Sequence, residues 1–357
     1  MSVLNFFAAL VILCIIWSLT VRRGTKKLTC SRSFSSTRFF EGEQGELIEV
    51  VRNDGPYIIP WLRIESRISP NIRLGKQENL TNSDEMYYFS CFTLFPHQQI
   101  RRRHRVTFLR RGSYNLGNAY LTTGDVLGTG RFGKDQQLET PVLVFPRILE
   151  PEELPFPVSQ MMGEMLRRNQ LIKDPFLIRG IRDYQSGDPV RDIHWAATAR
   201  TGTLQVSVHD STVRTKLLVV LNVQHDDNQW SNLILEKNVE PVEATIRLAA
   251  SVCVHTLRSG LSAGFATNMP LDTEKSSVVI LPADGTVQED ILLHNMARLR
   301  VHCAEKFISL LDSLSRQTGL DILVLSFYNS ESIQESIERL KAAGNRVSFY
   351  EMEGGRP

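Results

Sequence analysis

The chain has 357 residues, 42% hydrophobic and 22% charged, a balance that fits packed domains and excludes both bulk disorder and a polytopic transporter. Forty-one Lys and Arg against 39 Asp and Glu leave a formal charge of +2, too neutral for a dedicated nucleic-acid binder. The length suits about two folded domains at roughly 150 residues each, and the five scattered cysteines form neither C-x-x-C nor a zinc spacing, so free thiols in a reducing compartment are expected.

The first element in chain order is the run Val3–Val21, VLNFFAALVILCIIWSLTV, which contains no charged residue. As a helix it would span ~28 Å, close to the hydrocarbon core of a bilayer. Trp17 lies at an interfacial position, and Arg22, Arg23, Lys26 and Lys27 follow the run with no basic side chain before it. A signal peptide has the reverse charge order and a small-residue cleavage site. Residues 1–27 are therefore expected to form a retained single-pass anchor in the cell membrane. Residues 3–21 would contact the lipid bilayer, and the body of the chain would lie on the cytoplasmic side.

Residues 28–146 read as a β-rich, sandwich-like domain. Leu62, Ile64 and Ile68 alternate with Arg63, Glu65 and Arg67, the period-two pattern of a strand with one buried face. Leu47–Val51 precedes the turn cluster Asn53-Asp54-Gly55-Pro56, and further strands are expected at Met86–Leu94, Ile100–Leu109, Tyr114–Leu121 and Pro141–Phe145. Arg101, Arg102, Arg103 and Arg105, with Arg110 and Arg111, form the densest basic cluster. On a strand it reads first as a solvated edge and second as a surface for anionic headgroups. Gly128-Thr129-Gly130-Arg131-Phe132-Gly133 matches G-x-G-x-x-G, but KDQQLETPVLVF follows it. A dinucleotide site needs a helix at that place, so the match is rejected.

Residues 147–173 form a Pro-rich linker, and the periodicity changes across residues 174–357. Leu217–Leu221 (LLVVL) is a buried parallel-strand run. A long amphipathic helix is expected around Glu240–Ser259, strands at Ser262–Thr267, Ser277–Leu281, Asp321–Phe327 and Arg346–Tyr350, and helices at Glu289–Gln317 and Glu331–Ala343. Apolar strands alternating with helices imply an open α/β sheet. Asn222-Val223-Gln224-His225-Asp226 follows the first of these strands. A hard divalent cation wants several oxygens on one loop, and here Asn and Gln offer only neutral ones. Asp226, Asp227 and Asp284 are read as solvated turn residues, so no metal site and no cofactor is assigned.

The most unusual stretch is Arg179–His209, RGIRDYQSGDPVRDIHWAATARTGTLQVSVH. Gln185–Asp188 is expected to turn, Asp188 to cap a helix running from Pro189 to about Arg200, and Gly202 to end it. Leu204, Val206 and Val208 then alternate as a half-buried strand. Arg182, Arg191 and Arg200 could pair with Asp183, Asp188 and Asp192 as a brace over Tyr184 and Trp195. Alternatively these arginines and aromatics could present a binding hot spot.

Arg182, Tyr184, Gly187, Asp188, Arg191, Ile193, Trp195, Ala199 and Arg200 reproduce an Arg-x-Tyr, Gly-Asp, Arg-x-Ile-x-Trp, Ala-Arg signature. In these residues the chain resembles the bacterial family called domain of unknown function 58. The resemblance implies the layout of a multidomain protein: one N-terminal transmembrane helix, a β-sandwich-like domain and a C-terminal von Willebrand factor A-like α/β open-sheet domain. It also implies a non-enzymatic scaffold that partners a MoxR-type AAA+ ATPase in the assembly or activation of other complexes, with cell-envelope processes as the expected setting. On this reading Arg182, Tyr184, Gly187, Asp188, Arg191, Trp195 and Arg200 are the candidate partner contacts, and no residue is catalytic. The alternative is a metal-dependent, ligand-binding adhesion domain of the A type. A hydrolase built on Asp188 and His194 ranks below both, because a lone helical His is more often packed or exposed than a base.

Overall fold

The computed structural model describes residues 27–75, 86–124, 131–171, 178–209, 215–227, 229 and 236–352. It divides into two compact units, Met1–Arg147 and Ile148–Pro357.

The first unit contains β1 (Leu28–Phe34), β2 (Arg38–Phe40), β3 (Gln44–Asn53), β4 (Ile59–Ile68), β5 (Ile72–Leu74) and β6 (Met86–Leu94). It continues with β7 (Gln99–Phe108), β8 (Gly112–Asn115), β9 (Ala119–Gly124), β10 (Arg131–Gln136) and β11 (Pro141–Phe145). Two four-stranded sheets result, ordered β1-β3-β7-β5 and β10-β9-β4-β6, with a three-stranded sheet β2-β11-β8. Strand alternation sends Leu62, Ile64, Ser66 and Ile68 inward and leaves Arg63 and Arg67 exposed, as the pleat requires. The strand β10 occupies the ground after Gly128–Gly130 where a dinucleotide fingerprint would need a helix.

The interior of this sandwich has two apolar clusters. One gathers Cys30, Val51, Leu62, Ile64, Phe92 and Leu121, and the other Phe39, Leu47, Ile72, Val106, Phe108 and Val144. Arg32, Glu49, Ser66 and Ser90 are buried as well. They occupy inward positions on strands whose other inward residues, such as Cys30, Val51, Ile64 and Phe92, are apolar.

In the second unit the proline-rich stretch forms a 3-10 turn at Pro151–Glu153 and runs into α1 (Phe156–Leu171). Next come β12 (Ile178–Asp183), α2 (Trp195–Thr201), β13 (Gln205–His209), β14 (Lys216–Leu221) and α3 (Glu236–Arg258). The unit ends with β15 (Ser262–Thr267), β16 (Val278–Ala283), α4 (Thr286–Arg298), α5 (Phe307–Leu314), β17 (Asp321–Ser326), α6 (Glu331–Ala342) and β18 (Arg346–Glu351). The main sheet is ordered β16-β15-β14-β17-β18. All its pairs are parallel except β15 with β16. Leu218 and Val220 of β14 pack with Phe307, Leu311, Ile333 and Ile337 of α5 and α6. Helix α3 packs against β14 and β15 and beside α4. Gly264 of β15 leaves no room for a side chain, since a Cβ there would lie 2.5 Å from the Ile280 carbonyl oxygen.

The structure corrects several expectations. The single helix expected over Glu289–Gln317 is two helices, because Leu299 turns extended and bridges Leu271. The fold class with a transmembrane helix does not stand. No helix among the described residues is long and apolar enough to cross a membrane, and the longest, α3, is studded with Glu240, Glu243, Arg247 and Arg258. The run Val3–Val21 lies outside the described residues. The von Willebrand factor A-like label is also not carried forward, since five strands in this order describe an open α/β sheet and no more.

Candidate functional site

The signature stretch is an excursion between two paired strands. β12 and β13 run antiparallel, with Ile181 opposite Ser207, Arg182 opposite Val206 and Asp183 opposite Gln205. The Tyr184 amide donates to the Leu204 carbonyl at 2.9 Å and the His194 amide to the Gln205 carbonyl at 2.8 Å, so the excursion is closed at its base and tied at its midpoint to β13.

Its interior differs from a single helix. Asp188 does not cap one; it receives both terminal nitrogens of Arg182, each at 2.7 Å, and the Gln185 amide at 2.8 Å. A planar guanidinium fitted to both oxygens of one carboxylate fixes the turn, and the fork holds the already high Arg182 pKa higher still. Gly187 supplies the positive φ of 111° that the turn needs, a region side-chain-bearing residues rarely enter. Val190–Asp192 is a 3-10 turn, after which Ile193 goes extended and bridges Val206. That β pairing interrupts the helix expected from Pro189. The helical part is α2 alone, capped by His194, whose Nδ1 accepts from the Ala197 amide at 3.1 Å. Gly202 closes it in the left-handed conformation, φ 71°.

The seven candidate residues thus separate into two groups. Arg182, Gly187 and Asp188 form the fork and turn, with Tyr184 half-buried beside them. Arg191, Trp195 and Arg200 point outward. The Arg191 side chain is 83% exposed, with its Nε 3.6 Å from Asp192. Trp195 is 65% exposed and does not pack beneath the arginines. Val190, 69% exposed, adds a second apolar side chain. Asp183, read as an arginine partner, instead accepts from Gln205 Nε2 at 2.5 Å. His194, the conceivable base, spends its Nδ1 on the cap.

Residues 180–341 match the family model described as protein of unknown function DUF58. This segment is a DUF58 domain. No curated protein matches the chain. Solved structures similar to part of it include the CARDB domain of PF1109 from Pyrococcus furiosus in complex with di-metal ions. That domain is 12% identical, with a TM-score of 0.22 over 33% of this chain and 93% of that one. The ASH/PapD-like domain of human CEP192 is 13% identical, with a TM-score of 0.22 over 33% and 86% of the two chains. Nothing about the chemistry of this chain follows from either likeness.

Inside the DUF58 segment, the carboxyl ends of the central strands carry a buried polar network, in which Asn222 and Gln224, read from the sequence only as neutral oxygens, join Asn268 and Ser326, which the sequence did not single out. Asn222, Asn268 and Ser326 are fully buried. The Asn222 amide donates to Ser326 Oγ at 3.0 Å, and its oxygen accepts from the Gln224 amide at 3.0 Å and from Asn268 Nδ2 at 3.3 Å. Asn268 Oδ1 accepts from the Val223 amide at 3.0 Å, and Gln224 Oε1 from the Phe307 amide at 2.7 Å. The oxygens that a cation loop would turn toward a metal are therefore spent on amides. Tyr328 donates to Asp227 at 3.0 Å; burial first, then Asp227, drives its phenol well above the ordinary range. Among the described residues no three His, Cys, Asp or Glu side chains gather as a metal set. Each of the three network residues directly follows or ends an apolar run (LLVVLN, FATN, LVLS), and that placement was the available signal.

Proposed function

We propose that the DUF58 segment is a non-enzymatic protein-contact unit that works with a MoxR-type AAA+ ATPase in assembling or activating other complexes, nucleotide hydrolysis belonging to the partner. The observation that carries this reading is the outward presentation of Trp195, Val190, Arg191 and Arg200 on a stretch whose backbone is fixed from within. Trp and Arg are the residues that most often dominate binding energy at interfaces. A pre-fixed backbone reduces the ordering cost of association. The Arg182–Asp188 fork serves the fixing, so the brace and the contact surface are successive layers of one device.

The test is co-purification of the full-length chain with and without ATP, the recovered proteins being identified by mass spectrometry. A AAA+ ATPase should come down with the unaltered chain. It should be lost with Arg191→Ala and with Trp195→Ala while the thermal midpoint holds. Failure to recover such an ATPase in either nucleotide state would sink the proposal, and so would recovery unaffected by both substitutions.

A further inference from the structure

The β-sandwich contains a cavity of about 480 Å³ whose lining includes Leu74, Tyr88, Ser90, Arg102, Arg103 and Arg105, within the size range of small-molecule sites. It opens where two strand edges face outward. β6 ends its sheet. The short β5 pairs with β7 from Val106 to Phe108 and the Gly75 amide reaches the Arg105 carbonyl at 2.9 Å, so β7 from His104 back toward Gln99 lacks a neighbour on that side among the described strands.

The wall is positive and one-signed. Arg102, Arg103 and Arg105 line the cavity, and among the described residues no Asp or Glu does. Arg103 faces Glu46 at 3.6 Å. Arg102 lies over the ring of Phe92, 4.1 Å from its centroid, and among the described residues it pairs with no carboxylate. Glu49, the acid nearest the floor, is already taken by Arg32 at 2.7 Å. Beside Arg102, Tyr88 Oη lies 2.8 Å from His104 Nε2 and 2.7 Å from Ser90 Oγ, a fixed row of hydroxyl and imidazole groups. Leu74 adds an apolar side, and Phe89, whose ring carries Arg63 at 4.7 Å, lines the cavity as well.

We propose that this cavity binds a small organic anion, a carboxylate or phosphate monoester on an apolar body, with Arg102 taking the charge and Tyr88 and His104 orienting it. A planar guanidinium held in place by an aromatic ring is suited to receive an anionic group. The site belongs to the sandwich and is independent of the DUF58 contact surface.

The full-length chain is titrated by calorimetry with phenyl phosphate and with benzoate, and benzyl alcohol serves as the neutral counterpart. At least one anion should bind saturably and benzyl alcohol should not. Arg102→Gln should weaken binding about tenfold, the loss expected of one charge-assisted contact. Arg101→Gln, on the same strand but outside the cavity lining, should leave binding unchanged. Cys91 lines the cavity and is exposed, so iodoacetamide labelling of the unaltered chain, read at the Cys91 peptide, gives a measure independent of any variant's folding. The bound anion should slow that labelling. Absence of both saturable binding and Cys91 protection overturns the proposal. Equal protection by benzyl alcohol, or equal weakening by Arg101→Gln, overturns it as well.

Discussion

Arg32 and Glu49 meet between the two sheets of the sandwich, 2.7 Å apart, with neither side chain exposed to solvent. They are opposite one another in the β1–β3 register. Two nitrogens of Arg32 converge on a single oxygen of Glu49, at 2.9 and 2.7 Å, and its third is satisfied by Ser66. Ser90 donates to the other carboxylate oxygen at 2.8 Å. Each side-chain nitrogen of Arg32 and each carboxylate oxygen of Glu49 thus has a partner, which buried charges require.

The pair should be costly to break and cheap to replace. Glu49→Gln leaves a buried guanidinium uncompensated and should destabilise the chain by about 3–5 kcal/mol. Arg32→Met with Glu49→Leu removes both charges at similar volume and should cost far less than the sum of the single changes. Urea denaturation of the unaltered chain, Arg32→Met, Glu49→Leu and the double variant measures this, with Glu49→Gln read beside them. Additive losses would mean that the pair does not act as a unit.

Much of this was legible in the sequence, and what was not has a common cause. The inward positions of β4 follow from Leu62, Ile64 and Ile68 because one face of the strand is apolar. Continuing that count along β1 and β3 would have put Arg32 in line with Leu28 and Cys30, and Glu49 with Leu47 and Val51. A charged residue in an apolar register signals a buried partner, but the partner's identity depends on strand pairing, which periodicity does not contain. The helix from Pro189 failed in the same way. Asp188-Pro189 is a sound local start signal, overridden by the non-local bridge from Ile193 to Val206. The fork between Arg182 and Asp188 was within reach because both ends lie in one short turn. That Trp195 faces outward was not, since exposure is set by what the rest of the fold does or does not place over it.

His104 should give the sandwich a pH dependence of definite sign. Burial pulls its pKa below the ordinary 6.5, outweighing Glu49, which pushes the other way. Glu49 lies 3.9 Å off and is already neutralised by Arg32, so it offers the imidazolium little. The unfolded chain therefore takes up a proton that the folded one resists. The stability contribution is present above about pH 6.5 and is lost as pH falls toward the folded value. His104→Gln should flatten that part of the stability curve. Chemical denaturation at pH 7.5 and stepwise below it, run for both proteins, checks the claim; parallel curves would refute it.

Asn268 is where the second unit can be probed most sharply, because one side chain ties the stretch after β14 to the stretch before α5. It accepts from the Val223 amide at 3.0 Å and donates to Asn222 at 3.3 Å and to the Glu305 carbonyl at 3.4 Å. Asn268→Ala strands a buried amide and should cost about 1–3 kcal/mol. Asn268→Asp keeps the acceptor and nearly the same volume, yet places a carboxyl where burial disfavours its charge. Its folded pKa would then lie above the ordinary carboxylate value of about 3.9, and stability would fall as pH rises through the folded value. If the network is only packing, Asn268→Asp should be unfolded by urea at the same midpoint from pH 4 to pH 7 relative to the unaltered chain. If a cation could be held there, added magnesium should restore the variant at neutral pH. The expected result is a midpoint that drops with rising pH and does not recover with magnesium, because the remaining oxygens of Asn222 and Gln224 already accept from the backbone.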